Sequence, residues 1–131
     1  MSNRMTVREM KASLPEDCKF ISKVDHNTYK YSHNGSVVVR LYSTNIVEKT
    51  ANGFIILSNG GHQTVTTKDR INQALKEWSP DNGLGICQRD YTWYLTWHTG
   101  KMGAWVWHER EFDNGMVIDP NRPGTILNQT H

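Results

Sequence analysis

The chain carries six histidines, His26, His33, His62, His98, His108 and His131, and imidazole is the side chain best suited to moving protons near neutral pH. None of them falls in an HExxH pattern or a Cys/His spacing typical of zinc. His98 and His108 flank one predicted hairpin with Glu109 beside them. If they face each other they supply a general base and an orienting carboxylate for a hydrolytic or nucleotide-modifying reaction. Glu109, Glu111, Asp113 and Asp119 gather near the last predicted hairpin, and such clusters bind magnesium in nucleases. No spacing specifies that here. Surface hairpin histidines and solvated charge are the commoner explanation of both groups, so no metal or cofactor is expected and the enzyme reading ranks third.

A second constellation runs from Gly60 to Arg70, through Gly61, His62, Thr66, Thr67 and Lys68. It passes from a strand into a helix start, where unpaired amides and the helix dipole favour phosphate. Thr66, Thr67, Lys68 and Arg70, with His62 and Arg40, form a candidate phosphate or nucleic-acid site. The stretch lacks both GxxxxGK[ST] and GxGxxG, and an ordinary capped helix reads the same way.

The third constellation is aromatic. Trp93, Leu95 and Trp97 share one face of a predicted strand, and Trp105 and Trp107 share one face of the next. If those faces coincide, four indoles crowd one patch. That patch is either the core under the helix or an exposed platform for bases or a partner protein.

Elements must hold these residues in place. Asn-Gly occurs at 34–35, 52–53, 59–60, 82–83 and 114–115, the pair that best tolerates the positive φ angles of type I′ hairpin turns. Seven strands are predicted over 28–33, 36–42, 45–49, 54–58, 84–88, 92–98 and 104–109, and a final short hairpin turns at Asn114-Gly115 with 116–118 returning. Val37, Val39 and Leu41 alternate with Val38, Arg40 and Tyr42, while Phe54–Leu57 is apolar on both faces and reads as a covered strand. Between strands, Ile71, Ala74, Leu75 and Trp78 recur at helical spacing. A helix is therefore predicted over 68–78, capped by Thr66 or Thr67 and stopped by Ser79-Pro80. Thr6 to Leu14 fits a second amphipathic helix ended by Pro15.

The 131 residues, 37% hydrophobic and 21% charged, suit one globular domain, placed at 1–119 with a loosely held tail at 120–131. Cys18 and Cys87 lie far apart outside any CxxC pattern and read as free thiols of a reducing compartment. The charged opening segment and the lack of a long apolar run argue against a signal segment or membrane span, so the cytoplasm is expected. A net charge of +2 permits a nucleic-acid partner without announcing one.

The succession Val39-Arg40-Leu41-Tyr42, Phe54 to Leu57, Asn59-Gly60-Gly61-His62, Thr66-Thr67-Lys68 and Thr92-Trp93-Tyr94 resembles small uncharacterised proteins of tailed bacteriophages. The likeness spans about residues 36 to 98 and implies no assigned reaction. It implies a protein that acts in the host cytoplasm by binding nucleic acid, a nucleotide, a host enzyme or a defence component.

The expected fold is α+β: an antiparallel sheet or partial barrel in the order β-β-β-β-α-β-β-β, one face covered by the helix. The leading expectation is a non-catalytic module binding nucleic acid or a nucleotide through the helix start and aromatics. The alternative is a protein–protein inhibitor using the tryptophans, and dimerisation through strand edges stays open.

Overall fold

The computed structural model describes residues 4–125 and Leu127. It shows an α+β fold, mostly antiparallel sheet, with one long helix. The sheet is divided: six strands form one sheet and three another, and neither closes into a barrel.

The chain opens with a short helix, α1 (Val7–Ala12), within the span that the sequence suggests. Thr6 and Glu9 form a reciprocal capping box that satisfies two otherwise unpaired amides. Five strands follow as a meander: β1 (Lys19–Asp25), β2 (Thr28–His33), β3 (Ser36–Leu41), β4 (Thr44–Lys49) and β5 (Ile55–Leu57). Strand β1 was not expected from the sequence. Its side chains are mostly exposed, and register shifts interrupt its pairing with β2, so no clean alternation marks it. The β2–β3 turn is the one expected, with Asn34 at φ 50° and Gly35 at φ 83°.

Helix α2 (Val65–Trp78) comes next, three residues longer at its start than predicted. Thr64 is the cap, its hydroxyl accepting from the Thr67 amide, so Thr66 and Thr67 are inside the helix. The second sheet is β6 (Gly85–Arg89), β7 (Thr92–Lys101) and β8 (Ala104–Glu111). The chain then returns to the first sheet as β9 (Val117–Ile118), antiparallel to β5.

Two apolar clusters hold this together. Met10 of α1 packs with Tyr29, Tyr31 and Val38 on one face of the first sheet. On the other, Val39, Leu41, Val47 and Leu57 meet Ile71, Ala74 and Leu75 of α2 and Ile86, Trp93, Leu95 and Trp97 of the second sheet. Helix and second sheet thus share a core with the first sheet. Of the segment after β9, residues 120–125 make contacts with the body: Pro123 is buried, Asn82 donates to the Pro120 carbonyl, and Arg110 donates to the Pro123 and Thr125 carbonyls. Ile126 and residues 128–131, with His131, lie outside the described residues.

Candidate functional site

The proposed phosphate residues are only partly brought together. Arg40 lies directly opposite Tyr29 and alternates with Val39 and Leu41, which places it on the α1 face, across the sheet from α2. Arg70 is already committed: it pairs with Asp25 at 2.9 Å and Asp69 at 3.0 Å, and its Nε donates to the Thr28 hydroxyl. Thr67 is buried and shares a 2.9 Å hydrogen bond with Thr64. Lys68 is half-buried and does not line the cleft at the start of α2.

What remains is a cleft of about 460 Å³ at the start of α2. Leu41 and Ile46 line it with apolar surface, Tyr42, Ser43 and Thr44 supply the β3–β4 turn, and Asn27, Asn59, His62, Thr64, Thr66 and Thr67 complete it. It is rich in hydroxyl and amide groups, and His62 is the sole lining side chain able to carry positive charge. Of the six residues assigned to phosphate, His62, Thr66 and Thr67 line this cleft, while Arg40, Lys68 and Arg70 do not.

The tryptophans divide between two environments. The β7–β8 register sets Trp97 opposite His108 and His98 opposite Trp107. Directly opposed residues share a face, so Trp93 and Trp97 face the core while Trp105 and Trp107 face outward. There is no single four-indole patch. Trp93 is 1% exposed and packs edge-on against Phe112 at 5.2 Å, and Trp97 is 7% exposed. Trp105 and Trp107 are 44% and 61% exposed.

His98 braces this outer pair. Its ring lies 4.2 Å from that of Trp105 and 5.0 Å from that of Trp107, the latter edge-on. Gly83, at φ 65°, packs beneath: a Cβ there would come within 2.7 Å of the His98 ring and 3.0 Å of Trp107. The His98 Nδ1 is buried and makes no hydrogen bond. Along the same face, Glu109 forms a two-pronged ion pair with Arg89, which also stacks over Tyr94. That pairing holds the Glu109 carboxyl below its ordinary range and keeps Arg89 firmly protonated.

The proposed catalytic trio is not assembled. His108 is on the core-facing side, stacked on Trp97 and hydrogen-bonded to the Thr99 hydroxyl at 2.7 Å, whereas His98 and Glu109 are on the outer side. The acidic cluster is likewise dispersed, with Asp119 paired to Arg122 and Asp113 acting on Arg110, whose burial lowers its own pKa. One cluster was missed in the sequence. Asp17, Cys18 and His33 are the described residues whose side chains could jointly hold a metal ion, their ligand atoms all within 4.8 Å of one another.

A family model for the Kyanoviridae Gp96 protein matches residues 4–119, a span that takes in every helix and strand. The chain belongs to that bacteriophage family. No curated protein and no solved structure matches it. Among the described residues no helix is long and apolar enough to cross a membrane.

Proposed function

We propose that this phage protein is a non-catalytic interaction module that engages a protein in the host cytoplasm through the outer face and free edge of the β7–β8 hairpin. The observation that carries this reading is the exposure of Trp105, Val106 and Trp107 on an edge strand. Tryptophan is strongly enriched among residues that dominate interface energetics. An unpaired edge offers backbone donors and acceptors for strand addition. Bracing by His98 holds both indoles before binding and so limits the ordering cost. Arg89 on the face of the two indoles is neutralised by Glu109, and Glu111 adds a further negative charge, which weighs against a polyanion there and toward a protein.

The test is affinity capture from host lysate with the wild-type chain and a Trp105→Ser/Trp107→Ser variant, with folding checked by circular dichroism. Loss of a reproducible partner in the folded variant supports the reading; undiminished capture overturns it. Sedimentation of the same two proteins shows whether the partner is a second copy.

The cleft at the start of α2 favours a second reading, a small polar ligand such as a nucleotide, because its volume and hydroxyl lining suit one. Calorimetric titration with nucleotides tests it. A phosphate-driven affinity falls with salt, and one unchanged between about 50 and 300 mM contradicts a polyanion.

A further inference from the structure

We propose that Asp17, Cys18 and His33 form a site for a divalent transition metal, with zinc the best match to its donors. The site follows from the register of the first hairpin. Lys19 pairs with Ser32, so one step outward Cys18 lies opposite His33, the last residue of β2. Opposed residues on neighbouring strands bring their Cβ atoms to about 5 Å. Asp17 would point away if the strand continued, but the chain turns there, with the Cys18 amide bonded to the Pro15 carbonyl. The turn brings the Asp17 carboxylate to the same side, 2.8 Å from His33 Nε2.

The donors are one thiol sulfur, one imidazole nitrogen and one carboxylate oxygen, all within 4.8 Å of one another. Zinc bonds of about 2.0–2.3 Å in tetrahedral geometry need ligand separations of roughly 3.3–3.8 Å. Modest adjustment of Asp17, which is exposed, and of His33, which is half-buried, reaches that spacing. Thiolate with imidazole selects zinc or cobalt over magnesium and calcium, which prefer oxygen. Three protein ligands leave a fourth position for water. Metal binding forms the sulfur–metal bond and releases the thiol proton to solvent; the hydrogen that His33 Nε2 donates to Asp17 leaves through solvent while Nδ1 takes one up, their hydrogen bond breaks, and Nε2 and the carboxylate turn to the ion. The bound ion would pin the segment after α1 to the end of β2.

Titration with Co(II) tests this directly. The expected result is a thiolate-to-cobalt charge-transfer band in the near ultraviolet with visible bands of tetrahedral cobalt, displaced by Zn(II). Cys18→Ser and His33→Gln should each lose the signal while keeping the wild-type far-ultraviolet spectrum, and Cys87→Ser should keep it. Absence of the charge-transfer band in the wild-type chain, or its persistence in Cys18→Ser, would overturn the site.

Discussion

The side-chain amide of Asn72 grips the backbone of Ile86 in both directions: its nitrogen donates to the Ile86 carbonyl at 3.0 Å, and its oxygen accepts from the Ile86 amide at 2.6 Å. A helix residue thereby imitates a neighbouring strand and stoppers the β6 edge of the second sheet. The opposite edge, β8, has no such cover among the described residues. Replacing Asn72 with Leu leaves two backbone groups of a buried residue unpaired. The expected loss is about 2 kcal/mol, read as a lower urea midpoint with an unchanged slope.

The tryptophans should separate cleanly by position. Trp93→Ala empties a fully buried site and should cost about 3–5 kcal/mol. Trp105→Ser and Trp107→Ser, on the exposed face, should each stay within about 1 kcal/mol of wild type. Chemical denaturation of the three variants checks both halves, and unfolding of the outer pair would reassign them to the core.

Gly83→Ala meets two obstacles, a left-handed backbone and the His98 ring. The backbone term alone is about 1–2 kcal/mol. Because the ring must move, the indoles it braces should move with it, and near-ultraviolet circular dichroism should change in the folded variant.

Acid should weaken the link between β1 and α2. The Asp25 carboxyl is held below its ordinary pKa, chiefly by the His26 backbone amide, then by the His26 ring, with Arg70 adding a smaller contribution. A depressed carboxyl contributes stability above its unfolded pKa and loses it as pH falls through the folded value. The stability gap between wild type and Asp25→Asn should therefore be full at pH 6 and close below about pH 4. Urea unfolding across that range measures the gap.

Much of the first sheet was legible because its cues are local. Asn34-Gly35 demanded a tight turn, and the alternation through Val37–Leu41 separated two faces, of which the folded chain sets Val39 and Leu41 against α2. Strand β1 was not legible, since backbone pairing rather than side-chain burial holds it. The cap of α2 was misplaced because Thr64, Thr66 and Thr67 all offer a hydroxyl, and only the folded backbone selects among them. The indole faces turned on parity. A two-residue turn at Met102-Gly103 makes odd-numbered residues of β7 oppose even-numbered ones of β8, so Trp97 and Trp107 diverge. The metal cluster was invisible for a related reason: its register belongs to β1, which leaves no periodic trace.

The return of β9 to β5 has a consequence for how the chain can assemble and vary. Ile55 meets Ile118 and Ile56 meets Val117, so everything from α2 through β8 is an excursion latched at its base by a short ladder. Hairpins between adjacent strands close early, and a latch between distant residues closes late. The entropy of closing such a loop grows only logarithmically with its length. Residues added at the β7–β8 tip therefore scarcely burden the latch, and the exposed hairpin is free to diversify while the first sheet stays as it is.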